Sequence, residues 1–291
     1  METELMVKAR ERLLRGLPVT ERRLELAGVS TAVLEGGSGR PLVLLHGPGE
    51  HALKWLRVLP ALVARHRVIA PDLPGHGSSV VGDGVLDADR VLGWLEALLD
   101  ATCPAPPVVV GQIVGGAIAA RFAAGRRRPL TRLILSDTLG LVPFQPDAAF
   151  GEAVLAFLAG PDEVTFARLW RRCAFDADRL QSEMGEQWDA YAEYSLERVR
   201  SPEGRAAMQR LMEEFGFPAI PAAELARIEV PTALIWGRHD LATPLGVAEE
   251  AGRRLGWPLH VVEESGDDPA MERPEHFIEA LQAATAVTPA A

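Results

Sequence analysis

Val108-Val109-Val110-Gly111-Gln112-Ile113-Val114-Gly115-Gly116-Ala117 decides how this chain is read. Three consecutive valines predict a strand buried on both faces, and the glycines that follow predict a turn too tight for side chains. Gly115-Gly116-Ala117 then opens a helix. The layout is a strand–turn–helix elbow, G-x-S-x-G, whose central serine is replaced by Ile113. An isoleucine side chain can neither attack a carbonyl nor carry a proton.

Outward from the elbow, strand-like and helix-like runs alternate. Arg22–Leu26 and Thr31–Glu35 predict two strands joined at Ala27-Gly28. Pro41–Leu45 predicts a buried strand ending in His46-Gly47-Pro48-Gly49, followed by one helix carrying Trp55, Leu56, Val58 and Leu59. Arg67–Ala70 is the next strand, Val91–Leu99 a helix, and Leu133–Leu135 a strand ending at Ser136-Asp137. Alternation stops near Leu141, where a helical stretch with scattered aromatics begins, and resumes with the strand Thr232–Trp236. A helix around Val247–Leu255, the strand Leu259–Val262 and a helix from Pro274 follow. Residues 1–16 predict a short amphipathic helix, and Ala283–Ala291 an Ala/Pro-rich tail. The pattern predicts an α/β fold with a mostly parallel central sheet flanked by helices and interrupted by a helical insertion. The boundaries are 1–140 and 228–291 for the two parts of the core and 141–227 for the inserted cap.

Composition narrows the function. The 291 residues are 48% apolar and 24% charged, the balance of an ordinary globular protein. A net charge of −10 argues against nucleic acid or an anionic membrane as partner. Cys103 and Cys173 are the only cysteines, without metal-ligand spacing around either. No secretory signal pattern or membrane-length apolar run is present, so a cytoplasmic location is expected, as a monomer or homodimer. No metal or cofactor is implied.

Five ordered motifs carry a resemblance to the α/β-hydrolase superfamily, in its cap-bearing branch. PLVLLHG resembles the strand leading to the oxyanion loop, RVIAPDLPGHGSS the next strand and loop, and GQIVGG the elbow. IWGRHDLATP resembles the turn presenting the catalytic acid, and ESGDDPAMERPEHF the segment presenting the catalytic histidine. The resemblance implies a ligand site between cap and sheet. It also exposes three departures. The serine position is Ile113, and the histidine position is Asp267. The residue after His46-Gly47, usually an oxyanion donor through its N–H, is Pro48, which has none. Asp240 keeps the acid position, with Asp137 as the alternative. Val114 retains a donor position and Gly49 is a substitute for Pro48. A simple knockout would change one residue; three changed together point to another role.

The elbow position requires φ > 0, which is strained for a β-branched residue by about 1–3 kcal/mol. Because Gly111, Gly115 and Gly116 enforce the turn, Ile113 is expected to keep that conformation and form an apolar pocket floor. Asp267 is expected near Asp240, where two carboxylates raise each other's pKa and supply a general acid or base; alternatively Asp267 and Asp268 only cap a helix. His51 and Glu50 are alternative acid/base groups. Gln112 is a hydrogen-bonding support, Lys54 a helix-surface residue, and His46 and His76 shape loops. Trp55 and a minority of the cap aromatics, Phe144, Phe157, Phe166, Trp170, Trp188, Tyr191 and Tyr194, are expected to line the pocket with Ile113.

Three functions stay open. The first is a non-covalent enzyme performing proton-transfer chemistry (cyclisation, elimination, isomerisation or addition of water) on a small apolar or aromatic organic molecule. The second is a catalytically silent ligand- or partner-binding protein. The third is a hydrolase whose nucleophile lies elsewhere, with Ser78, Ser79, Ser136 and Ser265 as candidates by position.

Overall fold

Parallel strands need helical crossovers, and the chain supplies them in turn. The computed structural model describes residues 2–286. Helix α1 (Glu2–Leu14) precedes the antiparallel pair β1 (Thr20–Leu26) and β2 (Val29–Gly36). Their two-residue turn places Ala27 at φ 49° and Gly28 at φ 75°, the left-handed pair that matches strand twist in a tight hairpin. Next come β3 (Pro41–Leu45), α2 (Leu59–Val63), β4 (Arg67–Pro71), the short β5 (Val80–Val81), α3 (Ala88–Thr102), β6 (Val108–Gln112), α4 (Val114–Ala124) and β7 (Arg132–Ser136). Six helices follow: α5 (Ala148–Ala159), α6 (Glu163–Cys173), α7 (Ala177–Met184), α8 (Glu186–Arg200), α9 (Pro202–Leu211) and α10 (Ala222–Leu225). The chain then returns through β8 (Thr232–Gly237), α11 (Leu245–Leu255), β9 (Leu259–Val262), α12 (Pro269–Glu272) and α13 (Pro274–Thr285). Part of the Ala/Pro-rich tail, residues 287–291, lies outside the described residues.

The sheet order is β1-β2-β4-β3-β6-β7-β8-β9, with β5 paired to β2. From β4 to β9 all neighbours are parallel. PLVLL and VVVGQ are buried at every position, as strands covered on both faces must be. Strand alternation divides them between two cores. Leu42, Leu44 and Val110 face one with Phe277 and Leu281 of α13. Val43, Leu45 and Val109 face the other with α3 and α4.

One local expectation is corrected. The helix around Trp55 and Leu59 is a 3-10 turn, Ala52–Trp55, followed by the separate α2. Pro60, in the first turn of α2, has no N–H to continue a helix from residue 56 and its ring clashes with that turn. Among the helices between β7 and β8, α5, α6, α7 and α9 start at side-chain caps, Asp147, Asp162, Asp176 and Ser201, each accepting backbone N–H bonds from the first turn. The amino-terminal helix is also tied to this segment: α1 packs on α8, and Arg10 Nη1 donates to the Tyr194 hydroxyl at 2.8 Å. Among the described residues, no helix is long and apolar enough to cross a membrane.

Candidate functional site

Ile113 sits at φ 49°, ψ −113°. Its backbone is fixed on both sides: the N–H donates to Ser136 O at 3.1 Å, and the carbonyl accepts from Ala117 and Leu139 N–H, each at 3.2 Å. Close approach demands glycine beside it. A Cβ on Gly111 would stand 2.5 Å from Gly115 O, and one on Gly115 would stand 2.6 Å from His46 O. The strained dihedrals therefore survive without serine, at a cost of about 1–3 kcal/mol. The half-buried Ile113 side chain lines a cavity of about 440 Å³.

That cavity lies between helices α5, α6, α8 and α9 and the loops that leave the carboxyl ends of β3, β6, β7, β8 and β9, where ligand sites of parallel sheets collect. Pro48 and Gly49 line it with Ile113, as do Phe144, Phe150, Phe157, Phe166, Trp170 and Phe217. Five of the seven aromatics expected to be mostly internal core thus reach the cavity; Trp188 and Tyr194 do not. Trp55 does not reach it either. The break before α2 turns Trp55 fully into the core, its ring centroid 6.0 Å from that of Phe277. Gly47, Gln112 and Val114 lie buried beneath the lining.

Against this apolar wall stands a carboxylate floor of Glu50, Asp267 and Asp268. Asp267 is fixed by its backbone: its N–H donates to Cys173 O at 3.0 Å, and its carbonyl accepts from Gln112 Nε2 at 2.8 Å. Gln112 thus ties the elbow to the loop bearing Asp267. Burial, then the charges of Asp240, Asp268 and Asp137, hold the Asp267 carboxyl well above the usual carboxylate range, which favours its protonated form. Beside it, Cys173 is pushed well up by burial and by Asp267, Glu50 and Asp268, and stays a thiol.

Asp240 and Asp137 lie below the floor and do not line the cavity. Asp240 Oδ1 accepts from Ala242 and Thr243 N–H at 2.7 and 2.8 Å. Asp137 accepts from Gly237 N–H at 2.8 Å and from the Ser136 hydroxyl at 2.9 Å. Burial pushes Asp240 up to about 8 and Asp137 well up, the latter also through Asp240. Glu272, which no sequence signal singles out, anchors the loop through Gly266 N–H at 2.7 Å and Phe175 N–H at 2.7 Å.

Lys54 overturns the expectation of a surface residue. It is fully buried, with Nζ 2.9 Å from Asp268 Oδ1, 3.9 Å from Glu50 Oε2 and 4.6 Å from the Trp55 ring centroid. The 3-10 turn directs it inward, where a buried ammonium requires a carboxylate partner. Asp268 also accepts from Met271 N–H at 3.3 Å and caps α12. Glu50 Oε2 accepts from Gly47 N–H at 2.7 Å. Burial raises Glu50 to about 7 against the opposing pull of Lys54.

His51 is fully buried and does not reach the cavity, which corrects its reading as an acid/base group acting on a ligand. It is wedged against the rings of Tyr194 and Tyr191, at 4.5 and 5.0 Å, with Nε2 3.3 Å from Ser195 Oγ. Ser195 of α8 does line the cavity, and the sequence offers no motif that would find it. The serines chosen by position are engaged elsewhere: Ser79 and Ser136 with Asp72 and Asp137, Ser265 with Glu272, and Ser78 with Tyr194. None of the four lines the cavity. His46 accepts from Leu73 N–H through Nε2 and His76 is buried beside it, both shaping loops.

Comparison with known proteins follows this geometry. The alpha/beta hydrolase fold family matches residues 40–274. The chain is 30% identical over 235 residues to a 2-hydroxymuconate semialdehyde hydrolase from Pseudomonas sp. strain CF600, covering 78% of this chain and 80% of the relative. It is 32% identical over 229 residues to a magnesium-chelatase 30 kDa subunit from Rhodobacter capsulatus, covering 75% and 76%. The crystal structure of the carboxylesterase CesB from Bacillus subtilis superposes with a TM-score of 0.81 over 97% of both chains, at 18% identity, a likeness of fold.

Proposed function

The chain belongs to the alpha/beta hydrolase fold family, and from that premise we propose that it binds a small apolar or aromatic organic molecule between sheet and cap and acts on it by non-covalent proton transfer. The observation that carries this reading is the pair of floor carboxyls whose surroundings drive them to different protonation states. Glu50, at about 7, is partly ionised at neutral pH and serves as the base. Asp267, held well above the carboxylate range, keeps its proton and serves as the acid. Carboxyls pushed apart in this way divide acid and base roles. Ile113 supplies apolar lining where a covalent mechanism needs a nucleophile. Cyclisation, elimination, isomerisation and addition of water all fit such a pair.

The relatives named as a hydrolase and a chelatase subunit agree with a family in which fold alone does not assign chemistry. The test begins with a panel of two- and three-ring aromatic molecules scored by thermal stabilisation. Those that bind are then followed by NMR for uptake of solvent deuterium. Glu50→Gln and Asp267→Asn are expected to keep binding and lose exchange by roughly 100-fold or more. Absence of any stabilising ligand, or exchange unchanged in both variants, overturns the proposal.

A further inference from the structure

The cap side of the cavity carries its own polar pair, Ser195 and Tyr191, one turn apart on α8 and both lining the cavity. Behind them His51 is fully buried, with Nε2 3.3 Å from Ser195 Oγ and Nδ1 without a partner among the described residues. Burial holds the imidazole well below its ordinary pKa, so it is neutral and carries one ring proton. That proton belongs on Nε2. A buried N–H without an acceptor is rarer and costlier than a buried acceptor without a donor, and Nδ1 is the nitrogen without a partner. His51 Nε2–H therefore donates to Ser195 Oγ. It cannot act as the base that would make Ser195 a nucleophile.

A count of protons gives the consequence. Ser195 and Tyr191 are neighbours one turn apart on α8. Between them they hold two O–H groups, at most one of which the pair can spend on each other, and His51 supplies a further bond to Ser195. One O–H is left over. Burial and the charges of Glu50 and Asp268 keep Tyr191 well above its ordinary pKa, so it remains a donor. Those charges also place its hydroxyl within electrostatic reach of the carboxylate floor.

We infer that Ser195 and Tyr191, positioned by His51, form a hydrogen-bond donor site for a carbonyl oxygen, and that the ligand is an apolar ketone or similar carbonyl compound. The inference rests on the proposed proton-transfer function and deepens it. A carbonyl polarised from the cap side has acidic hydrogens on its α-carbon. Glu50 of the carboxylate floor takes one as a proton, the C–H electron pair moves into an enolate, and the leftover O–H holds the enolate oxygen. Return of a proton to carbon restores the ketone, and return to oxygen gives the enol, so atoms and charge balance in either direction.

The probe is 2-tetralone, with tetralin as the same skeleton lacking the oxygen, measured by quenching of tryptophan fluorescence and by infrared spectroscopy of the bound carbonyl. Wild type is expected to prefer the ketone by roughly three- to tenfold, the value of one net hydrogen bond, with the C=O stretch shifted to lower frequency. Ser195→Ala combined with Tyr191→Phe is expected to lose both the preference and the shift while binding tetralin as before, which also reports that the cavity has folded. Ser195→Thr, which retains the hydroxyl, keeps the shift. A C=O frequency unchanged between wild type and the double variant overturns the inference, as does attachment of a fluorophosphonate to Ser195. Glu50→Gln separates the two levels: with the shift retained and deuterium exchange unaffected, the acid/base reading fails and the carbonyl site stands. If neither tetralone nor tetralin binds, both fail together.

Discussion

Ile113 and Asp267 stand on two loops tied by one hydrogen bond, from Gln112 Nε2 to the Asp267 carbonyl, and they differ in what fixes them. At the elbow the backbone sets the form and the tip is apolar: φ is 49°, and Ile113 needs no partner. The Gly266–Asp268 loop carries an acidic pair, and its surroundings are built around charge. Lys54 lies against Asp268, Glu272 holds the Gly266 N–H, and Asp267 is kept protonated. The difference is physical. Backbone shape at the elbow is enforced by the close approach of Gly111 and Gly115 to neighbouring backbone, which is indifferent to the residue at the tip. A buried carboxylate has no such independence and must be paired or neutralised.

Removing the countercharge breaks this comparison most forcefully. Lys54→Met leaves Asp268 buried without its cation and is expected to cost about 3–5 kcal/mol in urea unfolding near pH 7. The loss shrinks as pH falls, because burial raises Asp268 and, without Lys54, it takes a proton more readily. Adding Asp268→Asn to Lys54→Met is expected to recover more than half of the loss. A single variant within 1 kcal/mol of wild type would mean that the Lys54–Asp268 contact carries no charge compensation.

A smaller effect reports the protonated carboxyls. Asp240 lies near 8 in the folded chain, and burial also raises Asp137 and Asp267 well above the ordinary value of 3.8. The unfolded chain binds fewer protons than the folded one above pH 4, so each of these groups makes stability fall as pH rises. The buried histidines His46, His51 and His76, shifted below 6.5, act in the opposite sense but only at lower pH. Between pH 7 and 8 the carboxyls therefore dominate, and the midpoint of thermal unfolding is expected to fall. Asp240→Asn is expected to make the accompanying fall in unfolding free energy shallower by about 1 kcal/mol per pH unit, and Ile113→Ser to leave it unchanged. A midpoint that rises over this interval would contradict the assigned protonation states.

The same contrast explains what the sequence revealed. The elbow, the alternating strands and the breadth of the helical segment were legible because each rests on local constraints: glycine where Cβ cannot fit, runs of Val and Leu where strands are covered twice. Asp267 was legible through its place in the motif. Lys54 was not, because its partner Asp268 is remote in sequence and its inward direction depends on Pro60 breaking the helix. Ser195 was hidden for a related reason. Within a helix it carries no motif, and its meaning comes from His51, which lies on a loop far earlier in the chain. Trp55 failed in the other direction, since an aromatic near a pocket loop serves the core equally well.

The smallest effect tests the elbow itself. Replacing a half-buried isoleucine by glycine normally loses buried apolar area and adds backbone freedom to the unfolded chain, together about 2 kcal/mol. At Ile113 the substitution also releases a β-branched residue from positive φ, a gain of about 1–3 kcal/mol. The two nearly cancel, so Ile113→Gly is expected within about 1 kcal/mol of wild type. A loss well above 2 kcal/mol would show that the isoleucine is packed in the conformation it prefers and that the elbow holds no strain. Ile113→Ser sharpens the point. It places a hydroxyl on a turn of the same backbone shape, while Asp267 is a carboxyl held well above the usual range and Pro48 offers no N–H to an oxyanion. Hydrolysis of activated esters is therefore expected to remain at background in this variant. Appreciable turnover by Ile113→Ser would show that backbone shape and hydroxyl suffice, and that the charged loop is not what separates this site from a serine hydrolase.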